Sequence, residues 1–128
     1  MKAYLLVFLG AGIGGALRHG VNVGCARMCG TAFPWGTLTV NVFGSLVMGV
    51  LTAWLIFKAG EGWSQPLRLF LTTGILGGFT TFSAFSLDAV MLWERGQVGL
   101  AAAYVGASVL LSIAGLVAGL GLIRAVTA

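Results

Sequence analysis

The residues able to do chemistry fall into three short tracts. Gly77 to Phe85 reads GGFTTFSAF, in which two glycines, two threonines and a serine are interleaved with three phenylalanines. Thr37, Asn41 and Ser45 recur at every fourth position, and Tyr104, Ser108 and Ser112 repeat the same interval. Residues four apart share one helix face, so each of the latter two tracts is a polar stripe. A serine or threonine in a helix can bond back to the carbonyl one turn earlier, which accounts for any single hydroxyl. Asn41 is harder to place, because its amide carries two donors and an acceptor. It is therefore expected to face a partner or a wet cavity. Phe82 and Phe85 lie three apart on one face, with Ser83 and Ser86 one step round. Packing in a core or against lipid is the ordinary role for such rings. The alternative uses the ring quadrupole, negative on its face and positive at its edge. Two ring edges beside an amide and several hydroxyls form an anion path without a formal positive charge, and conduction needs such weak, multiple sites.

These tracts must be carried by helices in a membrane. Of 128 residues, 59% are hydrophobic and 8% charged, and the mean hydropathy is +1.03; soluble domains are about 25% charged. A bilayer core takes roughly 20 apolar residues per helix. The pattern predicts an all-α membrane protein, one domain over 1–128 with spans at about 3–23, 36–57, 67–93 and 98–124. The Met-Lys start and its apolar run read as a retained first helix. Pro34 and Pro66 each stand just before a span, where a missing N–H costs little. Trp35 and Trp54 bracket the second span, and Trp63 and Trp93 the third, as suits membrane interfaces.

The third span exceeds what is needed, since a continuous helix from Leu67 to Trp93 would reach about 40 Å. Gly77, Gly78 and the Thr80–Thr81 pair weaken it by backbone freedom and β-branching, so a break at mid-membrane is expected. Such a break is tolerated only where the freed backbone is buried in protein or lines a water-filled path, and unwound carbonyls there can coordinate cations. Gly10–Gly14, Gly74–Gly78 and Gly115–Gly119 predict tight helix crossings. Arg18 falls where the first helix is still too short to span, so it must snorkel or face a cavity.

The net charge of +4 is spread over loops and helix ends and does not imply nucleic acid. Lys2, Lys58, Arg68 and Arg124 would mark one membrane side, and Arg18, Arg27 and Arg95 the other. That bias is weak, which leaves open insertion in both orientations and an antiparallel homodimer. Cys25 and Cys29, near His19, lack the further ligands that zinc takes and read as incidental thiols. GAGIGG follows no strand and is better explained by helix packing than by phosphate binding. No nucleophile–base pair is evident, so an enzyme is not expected.

Together, GAGIGGALRH in the first span, WGTLTVNVFGS in the second and GILGGFTTFSAFS in the third resemble the Fluc (CrcB) family of fluoride channels. The resemblance covers nearly the whole chain, and the third motif is the most specific. It implies a dual-topology homodimer with two pores, passive export of cytosolic fluoride and a bacterial inner-membrane location. It also implies a structural sodium ion at the dimer centre, held by backbone carbonyls of Gly77 and Thr80 from both subunits. By position, Phe82 and Phe85 would be the aromatic fluoride contacts and Asn41 the amide donor. Ser83, Tyr104, Ser108 and Ser112 would supply the remaining polar track, with Arg18 making an aqueous vestibule electropositive. Two positions depart from the common motif: Ala84 removes a hydroxyl and His19 replaces a tyrosine. A proton-coupled exporter of small cations is the nearest rival, but it needs an intramembrane ionisable group, and Asp88 and Glu94 stand only towards the end of the third span. An accessory subunit would explain the packing glycines but not the break together with Asn41.

Overall fold

A computed structural model describes the backbone of residues 1–57 and 61–127 and the side chains of 1–56 and 65–126. The elements are α1 (Lys2–Cys29), α2 (Trp35–Phe57), α3 (Glu61–Arg68), a π-helical segment (Leu69–Leu76), α4 (Gly77–Phe79), α5 (Phe82–Glu94) and α6 (Val98–Thr127). The protein is all-α, with no strand among the described residues. Lys2–Cys29, Trp35–Ile56, Gln65–Glu94 and Val98–Val126 are long and apolar enough to cross a membrane, and the third of these is bent. Lys58 and the side chain of Trp63, both placed at membrane edges by sequence, lie outside the described residues. Trp35, Trp54 and Trp93 are all exposed near helix ends, as interfacial tryptophans are.

α1 continues six residues beyond Val23 and stops at Gly30, whose φ of 80° suits glycine. Gly30 N–H closes the end on Ala26 O at 3.0 Å. Pro66 does not precede the third span but lies inside α3. It is the sixth residue of α3, past the first turn, so its missing N–H removes one intrahelical hydrogen bond. Beyond it the chain widens into the π-helical segment, an uncommon geometry that tends to occur at functional sites. Gly77 N–H reaches back five residues to Thr72 O.

Close backbone approach fixes the helix order. A Cβ on Gly10 would lie 2.6 Å from Phe70 O and 2.8 Å from Gly74 Cα, and one on Gly14 would overlap Ile75 O. α1 therefore packs along the π-helical segment and α4. α2 lies along α6 in the same way, with Gly119 against Leu46 and Val50. Two apolar cores result. Val40, Leu76 and Phe79 join α2 to the first half of the third span, with Val21 of α1 packed against them. Phe85, Leu92, Ala101 and Tyr104 join its second half to α6. The bend lies between these two cores.

Candidate functional site

The bend is made by the threonines. Gly77 keeps helical angles (φ −61°, ψ −38°), whereas Thr80 (φ −89°, ψ 158°) and Thr81 (φ −154°, ψ 122°) are extended. The expected contribution of glycine freedom is thus corrected: Gly77 stays helical, Gly78 serves packing, pressed on Ala11, and β-branched residues take the extended backbone. Asn41 holds the opening. Its Nδ2 donates to Thr81 O at 3.0 Å, and its Oδ1 accepts from Thr81 N–H at 2.8 Å. Thr81 then caps α5, its Oγ1 accepting from Ala84 N–H at 3.1 Å, as N-cap threonines do. The N–H and C=O of Thr81 and the N–H of Ala84 are thereby paired at the bend, where water is scarce. The clamp uses one of the two Nδ2 protons and leaves one for a ligand.

These changes reroute two N–H groups. In a continuous helix Thr81 N–H would point to Gly77 O and Ala84 N–H to Thr80 O; here they go to Asn41 and to Thr81 Oγ1. With Thr80 and Thr81 extended, the carbonyls of Gly77, Gly78, Phe79 and Thr80 lose their helical donors, and the two named from the sequence, Gly77 and Thr80, are among them. Neutral carbonyl oxygens at an unwound helix are the donor type that sodium sites use, and Gly77 is exposed on the protomer surface.

Beside the clamp is an open cavity of about 350 Å³. Asn41 and Ser45 of α2, Thr80 and Thr81, Phe82 and Phe85, and Ser112 all face it, and no charged side chain lines it. Phe82 is 78% exposed and Phe85 only 9%; their ring centroids are 5.5 Å apart with planes at 51°. Hydroxyls divide into two groups. Thr39, Thr72, Thr80 and Ser86 bond back to the carbonyl one turn earlier, at 2.6–2.9 Å. Ser108 Oγ and Ser112 Oγ are buried without a hydrogen-bond partner. Unpaired buried hydroxyls cost about 1–3 kcal/mol each, so their persistence on one stripe points to a ligand or water. Tyr104 is fully buried, and its hydroxyl donates to Asp88 Oδ2 at 3.2 Å. Ser83 is exposed, with its Oγ 3.3 Å from Thr81 Oγ1.

Residues 5–120 match the family model described as CrcB-like protein, Camphor Resistance (CrcB). The chain belongs to the CrcB family. It is 64% identical over 124 residues to the fluoride-specific ion channel FluC of Rhodopseudomonas palustris strain BisB5, covering 97% of this chain and 98% of that one. Identity to FluC 2 of Nitrobacter hamburgensis is 56% over 124 residues, 97% of this chain and 98% of the relative. With the FluC of Methylobacterium nodulans it is 59% over 120 residues, 94% of each.

For this CrcB protein the structure adds a second polar cavity, of about 320 Å³, at the α1–α2 connection. Asn22, Thr37, Ala84 and Asp88 line it together with Phe33. Asn22 and Phe33 escape a reading of the sequence, because neither belongs to a periodic stripe; Thr37 was visible as the first member of the α2 stripe. Ala84 faces this cavity and not the central one, so the missing hydroxyl is absent from the loop side. Arg18 is half-buried on α1, about 16 Å before Cys29, and lines neither cavity. His19 is exposed, Cys29 is exposed, and Cys25 Sγ is 4.0 Å from Thr39 Oγ1.

Proposed function

We propose that the chain is a fluoride-selective channel that lets cytosolic fluoride leave passively across the bacterial inner membrane. It works as an antiparallel, dual-topology homodimer with two pores. The observation that carries this reading is the central cavity: an amide, the unpaired hydroxyl of Ser112 and two phenylalanines, with no charge among its lining residues; the unpaired Ser108 lies one turn before Ser112 on the same stripe. A desolvated fluoride ion accepts the second Nδ2 proton of Asn41, the hydroxyl protons of Ser108 and Ser112, and the positive ring edges of Phe82 and Phe85. Each contact is weak enough to release the ion to the next. Ser83 and Tyr104 extend the polar track, and Arg18 raises the local potential for anions approaching it.

What one protomer leaves open supports the dimer. Phe82 and Gly77 are exposed at mid-membrane beside an open cavity, and a second copy would close it. Sodium would be held by the Gly77 and Thr80 carbonyls of both copies, joining them by neutralising oxygen partial charges. The names of the FluC relatives agree with fluoride as the ion. The exporter alternative is not favoured: its carboxylate would have to face the central cavity, whereas Asp88 lines the loop-side one and Glu94 is exposed at the end of α5. No bond-making step is required of any residue.

The test is anion efflux from liposomes that contain the purified chain alone. Fluoride release with chloride retained is the expected result. Equal release of both ions, or of neither, removes selective conduction.

A further inference from the structure

Five aromatic rings run unbroken from the membrane surface to the central cavity. Trp35 and Phe33 have centroids 4.6 Å apart, Phe33 and Tyr104 5.5 Å, Tyr104 and Phe85 5.3 Å, and Phe85 and Phe82 5.5 Å. The Phe33–Tyr104 planes meet at 89°, an edge-to-face contact. The connection that carries Phe33 is short and held at both ends: Gly30 N–H bonds Ala26 O, and Trp35 N–H bonds Phe33 O at 2.8 Å. A loop ring so anchored is a fixed wall for whatever packs on it.

We infer that Phe33 is a positioning residue for conduction, setting the tilt of Phe85 through the ring of Tyr104. This rests on the channel reading above. Tyr104 is fixed at its hydroxyl by Asp88, which leaves rotation about the ring axis and tilt to be set by neighbours on its faces and edges. Phe33 meets that ring edge to face, and Phe85 meets it at a tilt of 45°. An aromatic ring donates its positive edge in one plane only, so a tilt of Phe85 moves the edge away from an ion in the central cavity. Phe33 also lines the loop-side cavity with Asn22 and Asp88. A purely structural loop anchor would be satisfied by any apolar side chain of similar volume; a ring-positioning role needs an aromatic.

The experiment is fluoride efflux from liposomes with F33L and F33Y, each in the native background and in F85I. F33L is expected to lower the native rate about fivefold, with F33Y restoring it to within about twofold. In F85I, where the positioned edge is already gone, F33L should change the slowed rate by less than about 1.5-fold; such non-additivity is the signature of one residue acting through another. An unchanged native rate in F33L, or the same fold-loss in both backgrounds, overturns the inference while the channel reading stands. Failure of the unsubstituted chain to release fluoride removes both. If F33L loses the native elution profile, F33M keeps unbranched apolar bulk and makes the same comparison.

Discussion

Phe82 and Phe85 are three residues apart, yet one is 78% exposed and the other 9%. The difference separates function from stability. An isoleucine at either position keeps apolar volume and removes the ring edge, and an aromatic contact is worth about 0.5–1.5 kcal/mol. Fluoride efflux should therefore fall up to about tenfold for each. Phe82→Ile should leave the thermal midpoint in detergent unchanged, while Phe85→Ile, at the centre of a core with Tyr104, should lower it. Unchanged flux in both variants would count against the aromatic role. Asn41 combines two tasks in one amide. Asn41→Asp keeps an acceptor for Thr81 N–H but sets a carboxylate against Thr81 O and beside the cavity. Fluoride release should be lost by more than tenfold through like-charge repulsion, and a normal rate would put Asn41 off the path. Asn41→Ala removes the clamp and leaves Thr81 N–H and C=O unpaired, at about 1–3 kcal/mol each; its melting temperature should fall even where some flux survives.

The helices show which features a linear reading can reach. Four apolar spans, the glycine pairs and the bend were legible because each is written in local composition and period. The agent of the bend was not. Gly77 and Gly78 look like the weak point, but Gly77 stays helical and Gly78 uses its lack of a Cβ for close approach to Ala11 of α1, a tertiary demand that no local pattern announces. The opening is instead maintained by Asn41, forty positions away in sequence. The π-helical segment was likewise invisible, since LFLTTGIL has no composition that distinguishes it from an α-helix. Phe33 and Asn22 were missed for a similar reason: a single residue that acts by where its chain is folded leaves no period. Two neighbouring glycines test the packing account. Gly14→Ala would drive its Cβ into the Ile75 carbonyl, whereas Gly15→Ala meets nothing within 4 Å. Alanine favours an exposed helix over glycine by about 1 kcal/mol. Gly15→Ala should thus match or exceed the native melting temperature, and Gly14→Ala should fall well below it; equal values for the two would mean that α1 and the third span do not meet at this crossing.

For the whole molecule, the surface of the protomer is informative. Exposed Phe8, Leu17, Leu110 and Val117 suit acyl chains. Gly77 is exposed at mid-membrane too, and its carbonyl has lost its helical donor to the Asn41 clamp. A polar oxygen facing lipid would be costly, and the proposed second copy and cation would cover it. The weak charge asymmetry permits that copy to be inverted. In an antiparallel pair, only residues near the two-fold axis come close to their own counterparts. Gly77→Cys, in a chain with Cys25 and Cys29 changed to serine, should therefore be joined to its twin by a short bismaleimide and run as a dimer on a denaturing gel. Leu122→Cys, near one end of α6, would be placed at opposite membrane faces in the two copies and should stay monomeric. A parallel dimer reverses that expectation for Leu122 if α6 lies at the interface, and a monomer yields no dimer band at either site. Repeating the Gly77→Cys reaction after exchange of sodium for a bulky organic cation separates the roles of ion and protein. A cross-linking rate lowered several-fold assigns the cation a part in holding the pair, and an unchanged rate leaves association to apolar packing alone.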